Sequence, residues 1–295
     1  MIHYMSIIIF LKNLFRISNI GTIIFFLLNA LLLIAIFSGG DSGRVFFIVI
    51  MYIISLLLSL SPIGEFFISC FAGAKVMRRT DMRNRMLPLV QRVYDKAREK
   101  TPSLPGNIIL KVMYDSSPNA FAIGRKTICV TEGLFDLTDD QIEGILAHEF
   151  GHLALHHTLI QVLIGGGNII ITLFLLFLRL VQIIVSAIAA LGGLLSRNCL
   201  IQLACLITGT LCYVFIWLWT KFCMLCFMWS SRANEYEADK YAFELGYGNE
   251  LAEVLDNIGT GVPQESFFKA LYSSHPDTHD RIGRLQEMGA TYTRY

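Results

Sequence analysis

The fold and chemistry of this chain depend on residues 147–152, which read Ala-His-Glu-Phe-Gly-His. On a helix, His148 and His152 lie on one face about 6 Å apart, so their imidazoles can converge on one metal ion. Glu149 can then act as a general base beside the metal. The Thr-Asp-Asp-Gln sequence at 138–141 is typical of a capping box and predicts a helix from there to about residue 157. The pattern predicts a site for one Zn²⁺ per chain, with Glu149 as its catalytic residue.

The third ligand determines the class of metal site. A metzincin would have a glycine and a histidine where this chain has Leu155 and Thr158, so that class is excluded. A distant carboxylate is the other common choice, and residues 231–242 read SRANEYEADKYA. This acidic segment predicts a second helix that contributes to the site.

Helix phasing distinguishes the acidic residues of that segment. Glu235 and Asp239 are four residues apart and share one face, whereas Glu237 points away from it. We therefore expect Glu235 to be the third ligand and Asp239 to accept the second ring N–H of a ligating histidine, which would fix its tautomer. Ala238 is small and would permit a close approach of the two helices.

The composition indicates a membrane protein. Hydrophobic residues make up 54% of the 295 residues and charged residues only 16%, against about 25% charged in typical soluble domains. A membrane helix needs about 20 mostly apolar residues, and four segments meet or approach that length, at about residues 19–37, 45–61, 159–178 and 201–220. The first is interpreted as an uncleaved anchor because it is too long for a signal core.

A fifth apolar segment, residues 180–194, directly follows Arg179. An arginine in mid-bilayer is costly, so we interpret Arg179 as the end of the third span. Residues 180–194 are then expected to lie in the interface or to re-enter the bilayer.

The distribution of basic residues predicts the orientation. Lys12 and Arg16 precede the first predicted span, and a dense group follows the second: Lys75, Arg78, Arg79, Arg83 and Arg85. The positive-inside rule then places both termini and residues 72–158 in the cytoplasm. The net charge of +1 gives no indication of a nucleic-acid partner, so the expected partners are the lipid bilayer and polypeptide substrates.

The predicted fold is a mainly α membrane protein, with four transmembrane helices and a cytosolic α+β gluzincin-type metalloprotease domain containing a small β-sheet. Within the soluble parts, the sequence predicts a helix near 81–100 and strands at 108–114 and 127–131. The expected organisation is a transmembrane hairpin at 1–71, a catalytic part at 72–158, a second hairpin at 159–228 and a second catalytic part at 229–295.

Four motifs together resemble the HtpX family of bacterial membrane zinc endopeptidases, which is related to the CAAX prenyl-protein proteases. In chain order they are the SPNAFAIG sequence at 117–124, the HEFGH sequence at 148–152, the EYEAD sequence at 235–239 and the HPDTHDRI sequence at 275–282. The second and third flank the predicted membrane hairpin. The resemblance covers most of the chain and implies cleavage of damaged or misfolded membrane proteins at a bacterial inner membrane.

The resemblance also implies roles for three further residues. Asn119 would lie on a strand that pairs with the substrate backbone. His275 would help to polarise the scissile carbonyl or to stabilise the oxyanion, and Arg281 would support that neighbourhood. His156 and His157 are interpreted as residues around the site or at the membrane interface, because the two zinc histidines already have a carboxylate partner.

Three alternatives remain open at this stage. A CAAX-type processing protease would have more spans, arranged around a large chamber. Four spans are too few to build such a chamber. An intramembrane metalloprotease would carry its two histidines within an apolar span, whereas acidic residues 139, 140 and 143 lie just upstream here. A non-catalytic transporter or scaffold is expected to show paired charges in its spans, and the predicted spans contain none.

Overall fold

The computed structural model describes residues 12, 14–16, 19–167, 169–195, 199–258 and 277–294. Its α-helices are α1 (Ile20–Phe37), α2 (Ser42–Ser59), α3 (Pro62–Phe71), α4 (Thr80–Lys100), α5 (Asp139–Ala154), α6 (His157–Gly167), α7 (Ile169–Leu195), α8 (Cys199–Glu244), α9 (Gly248–Ile258) and α10 (Thr278–Glu287). Its strands are β1 (Lys75–Val76), β2 (Ile109–Met113), β3 (Ala120–Ile123) and β4 (Thr127–Thr131). The described part is therefore mostly helical, as predicted.

The four strands form one small mixed sheet in the order β1-β2-β4-β3. β2 pairs with β4 in parallel, while β1 and β3 pair antiparallel with β2 and β4, respectively. Ala120 lies opposite Val130 and Ile123 opposite Thr127. This register places β3 at one edge of the sheet, beside the helix that carries the two predicted zinc histidines.

α5 is the central helix of the largest hydrophobic core in the described part of the chain. The predicted capping box is confirmed, because the Thr138 hydroxyl accepts from the backbone N–H of Gln141 while the Gln141 side chain accepts from the backbone N–H of Thr138. Every residue from Gln141 to Ala154 is buried, in a core shared with α4, the sheet, α8 and α9. The helix ends at Ala154, a little earlier than predicted, because His156 adopts a φ of 59°.

α8 is one continuous helix of 46 residues, from Cys199 to Glu244. It contains the fourth predicted span in its first half and the acidic segment in its last turns. Gly246 follows with a φ of 87°, and the N–H of Tyr247 bonds back to the carbonyl of Ala242, which terminates the helix. The acidic segment is thus fixed in direction by the apolar segment before it.

Two described helices, α1 and α2, are long and apolar enough to cross a membrane, with mean hydropathies of 2.7 and 2.0. The third predicted span, 159–178, is divided between α6 and α7. α7 continues to Leu195 past Arg179, which the sequence predicts as the end of the third span. Its guanidinium bonds to Gln182 at 2.7 Å and lies over the ring of Tyr213, so its charge is accommodated within the helix pair.

Candidate metal centre

His148, Glu149 and His152 are brought together on the inner face of α5. Their exposed fractions are 4%, 6% and 6%, and one ligand atom from each lies within 4.8 Å of the others. The Nε2 atoms of the two histidines are only 3.1 Å apart. Both imidazoles therefore face one common point with ring nitrogens that can coordinate a metal.

Glu235 reaches the same point from α8. Its carboxylate oxygens lie 3.4 Å from His148 Nε2 and 3.3 Å from His152 Nε2. The two helices approach closely because Gly151 lies against Ala238, where an added Cβ would be 3.0 Å from the Ala238 Cα. The expected close approach at Ala238 is confirmed, and it depends equally on the glycine opposite.

The donor set fits a zinc ion. Zn²⁺ prefers tetrahedral coordination at about 2.0–2.1 Å, which places neighbouring ligand atoms about 3.3–3.4 Å apart. The measured separations among His148 Nε2, His152 Nε2 and the Glu235 oxygens run from 3.1 to 3.4 Å. Two neutral imidazoles and one carboxylate are also the ligand types that suit this ion.

Asp239 and Arg281 hold the outer side of His148. Nδ1 of His148 lies 2.9 Å from the Asp239 carboxylate, which also accepts two bonds from the Arg281 guanidinium, at 2.8 and 2.6 Å. Arg281 is only 4% exposed and also lies 3.5 Å from Glu235. The structure thus brings these two predicted residues to the site, with Arg281 bound to the carboxylate behind the histidine.

The charges of this group are strongly coupled. Burial acts to lower the pKa of His148, but Asp239 and Glu235 outweigh it and raise that pKa to about 10. Burial acts to raise the pKa of Asp239, whereas Arg281 brings it down to about 2. His148 therefore sits where a positive charge, either a proton or a metal cation, is strongly favoured.

A different set of residues holds the outer side of His152. Nδ1 of His152 lies 3.2 Å from Nδ1 of His157, and Nε2 of His157 lies 3.3 Å from the Glu237 carboxylate. Arg16, just ahead of α1, donates to the same Glu237 oxygen at 2.6 Å. Glu237 does point away from the Glu235 face, as predicted, but it faces this second group rather than solvent alone.

Sequence reasoning did not assign these contacts of His157 and Arg16. His157 follows His152 by five residues, a spacing that does not share a helix face, and it reaches His152 only because the chain turns at Leu155 and His156. Arg16 is 221 residues from Glu237 in sequence. The one feature of the sequence that points to Arg16 is the basic character of residues 12–16, and it predicts only the orientation of the chain in the membrane.

Glu149 is held by the edge strand of the sheet. Its carboxylate accepts the backbone N–H of Ala122 at 2.8 Å. Asn119, expected on a strand, lies one residue before β3, and its backbone pairs with Thr131 at the end of β4. His275 lies outside the described residues.

A mostly helical chain with two candidate membrane spans and a buried His-Glu-His cluster has the features of a membrane-associated metallopeptidase. The chain belongs to peptidase family M48, whose family model matches residues 83–289. The matched region contains α5, the last turns of α8 and Arg281.

Curated relatives of this chain carry the name Protease HtpX homolog, and three of them illustrate the range of similarity. Those from Neisseria meningitidis and Janthinobacterium are 29% and 26% identical, each over 80% of this chain, and the matches span 83% and 81% of their own lengths. The relative from Tropheryma whipplei is 27% identical over 60% of this chain, and the chain spans 65% of its length, just under two thirds. The resemblance to the HtpX family is thereby confirmed.

One solved structure, that of S. mikatae Ste24p, resembles the chain with a TM-score of 0.48 and 17% sequence identity. The likeness covers 96% of this chain and 66% of that chain. It is too distant to say anything about function.

Proposed function

We propose that this protein is a zinc-dependent endopeptidase that cleaves membrane proteins, in particular damaged or misfolded ones. The observation that carries the proposal is the arrangement of four buried groups. His148, His152 and Glu235 present three ligand atoms at tetrahedral separations, and the Glu149 carboxylate stands beside them without being needed as a ligand.

When bound, Zn²⁺ would supply a Lewis acid that polarises a peptide carbonyl and activates water. Glu149 would accept a proton from the attacking water and pass it to the leaving amine as the peptide bond breaks. The Ala122 N–H fixes the orientation of that carboxylate. Asp239 would hold the proton on Nδ1 of His148, so that Nε2 keeps its lone pair for the metal.

The edge strand supports cleavage of an extended polypeptide. β3 has a pairing partner on one side only among the described strands. An extended substrate could add to its outer edge through main-chain hydrogen bonds, which recognise backbone rather than a particular sequence. Asn119 lies one residue before this strand, and we assign it and His275 to substrate binding by the family resemblance.

The placement in the membrane is part of the proposal. We assign four spans, with both termini and the metal centre on the cytoplasmic face of a bacterial inner membrane. The support is the apolar character of α1, α2 and the first half of α8, together with the basic residues that flank α1 and α2. Because α8 runs directly from apolar to acidic sequence, the site would lie close to the membrane surface, within reach of membrane-bound substrates.

The test of the mechanism is Glu149→Gln in the full-length protein purified in detergent. This variant should retain one zinc per chain but lose cleavage of an unstructured substrate such as casein, because the amide cannot accept the proton. Zinc content and casein cleavage are measured on the same sample, with a chelator-treated wild type as the control. Casein cleavage by the variant at the wild-type rate would refute Glu149 as the base.

The test of the third ligand uses two glutamates on the same helix. Glu235→Ala should lose zinc, whereas Glu237→Ala should still hold one zinc per chain at saturating metal. The two variants remove the same chemical group two residues apart, so each serves as the control of the other. Zinc retained in Glu235→Ala and lost in Glu237→Ala would reverse the assignment.

A further inference from the structure

The outer nitrogen of His152 begins a line of hydrogen-bonding groups that ends at the protein surface. The line runs from His152 to His157, to Glu237 and to Arg16, with separations of 3.2, 3.3 and 2.6 Å. The histidines at its start are buried, whereas the side chains of Glu237 and Arg16 are 33% and 40% exposed.

The proton positions along this line follow from the site it serves. His152 Nε2 faces His148 and Glu235, so as a ligand it carries a lone pair, and the single proton of the neutral ring lies on Nδ1. That proton can be donated only to a lone pair on His157 Nδ1. His157 must then carry its own proton on Nε2, where the Glu237 carboxylate accepts it. Each contact therefore determines the next, and the carboxylate fixes the tautomer of both rings.

The local backbone is shaped to make this contact. His156 adopts a φ of 59°, a conformation that is uncommon for a residue with a side chain. This turn starts α6 at His157, and the His157 ring then meets His152 edge-on, with centroids 5.3 Å apart at 68°. A buried histidine with both ring nitrogens in polar contacts, 1% exposed, is held more specifically than packing alone requires.

We propose that His157 is a positioning residue for the metal centre, which with Glu237 fixes the tautomer and orientation of His152. Arg16 extends this control to the segment ahead of α1. The inference rests on the proposed zinc function of His148, His152 and Glu235. It adds a second, separate support for the metal, because Asp239 and Arg281 hold His148 whereas His157 contacts His152.

The test is the zinc affinity of full-length protein in detergent, stripped of metal and titrated against a competing chelator. His157→Phe keeps a planar ring but removes the acceptor, and should weaken zinc affinity by about 10- to 100-fold. His157→Asn places an acceptor near the position of Nδ1 and should recover part of that loss. His279→Asn changes an exposed histidine of α10 in the same way, so it is the control and should leave zinc affinity unchanged.

A second variant covers the possibility that His157→Phe does not fold. Glu237→Ala should bind zinc about three- to tenfold more weakly, a smaller effect because water can reach this half-buried position and replace the carboxylate. Arg16→Ala should change the affinity less again. The expected order of affinities is thus wild type, Arg16→Ala, Glu237→Ala, His157→Asn and His157→Phe, from tightest to weakest.

The thermal unfolding of the metal-free variants separates positioning from packing. His157→Phe is compared directly with His157→Asn in both measurements. If the two variants lose equal stability and also equal zinc affinity, His157 is a packing residue and the inference is overturned. Wild-type affinity in both variants would also overturn it. Failure of the proposed function shows differently, because the wild type itself would then bind no zinc or Glu149→Gln would still cleave casein.

Discussion

The two histidines of the metal centre face one point, but the protein holds them in opposite ways. His148 is backed by Asp239 and Arg281, a fully buried ion pair with three short contacts. His152 is backed by a neutral ring, His157, and only then by a half-exposed carboxylate. With zinc bound as proposed, both arrangements would leave the proton on the outer nitrogen, so we expect the same ligand chemistry at different electrostatic cost.

The difference shows where the site is rigid and where it can be adjusted. Burying a charged pair is costly, and removing one partner leaves the other buried and uncompensated. The His148 side should therefore tolerate almost no change. The His152 side ends at a surface ion pair, where water can substitute for a lost partner and the consequences should be small.

The largest expected effect comes from breaking the buried pair. Arg281→Ala should destabilise the metal-free protein by about 3–5 kcal/mol, because the Asp239 charge would remain buried without its partner. The comparison is Arg16→Ala, which removes the arginine that bonds to Glu237 on the other side and should cost about 0–1 kcal/mol. Both are measured by chemical unfolding in the same detergent.

A double substitution sharpens this test. Arg281→Met combined with Asp239→Asn removes both charges of this pair, and should be more stable than either substitution alone, because neither partner is then buried without the other. Equal losses of stability for Arg281→Ala and Arg16→Ala would show that His148 and His152 are held alike. That result would refute the expected difference between the two histidines.

An intermediate effect is expected at the contact between Gly151 of α5 and Ala238 of α8, because the distances from Glu235 to both histidines depend on it. Gly151→Ala places a Cβ 3.0 Å from the Ala238 Cα and 3.1 Å from the Ala238 carbonyl oxygen, both backbone atoms that cannot rotate away. The helices would have to separate by a few tenths of an ångström, at a cost of about 1–3 kcal/mol. Because Glu235 would move away from both histidines, zinc affinity should fall as well.

Gly283→Ala is the matched control for that substitution. Gly283 also lies within a helix, α10, but an added Cβ there meets nothing within 4 Å. This change should be neutral or stabilising by up to about 1 kcal/mol, since alanine is the better helix former. A similar loss of stability in both variants would mean that helix propensity, and not the contact with Ala238, is responsible.

The sequence predicts the parts of this site whose residues are separated by a fixed, short spacing along the chain. The i, i+4 spacing gave His148 with His152 and Glu235 with Asp239, and the capping box gave the start of α5. The strands at 108–114 and 127–131 were predicted nearly to their ends, because their apolar and β-branched residues are consecutive. These features depend on neighbours within one turn or one strand, which a sequence shows directly.

The contacts that sequence reasoning missed depend on tertiary geometry. No local pattern joins Arg16 to Glu237, and none shows that the backbone of Ala122 meets Glu149. The sequence likewise does not show that Arg179 lies over the ring of Tyr213 on the neighbouring helix. The sequence places His157 around the site or at the membrane interface, but its contact with His152 depends on the turn at His156.

The smallest expected effect concerns that turn. Burial, with the charge of Arg125 adding to it, lowers the pKa of His156 to about 4. The unfolded chain binds a proton near pH 6.5, so the folded state is favoured above that pH and loses this advantage as the pH falls toward 4. Between pH 7 and pH 5 the wild type should lose about 1–2 kcal/mol from this group.

His156→Asn removes the titrating group while keeping a residue that tolerates positive φ, so the turn itself should survive. The variant should lose less stability than the wild type between pH 7 and pH 5, measured by unfolding of metal-free protein at each pH. His279→Asn is the control, because His279 is an exposed residue on α10, and should follow the wild-type profile. An unchanged pH profile in His156→Asn would show that the loss arises at another group, and would point to His157, because burial lowers its pKa to about 4 as well.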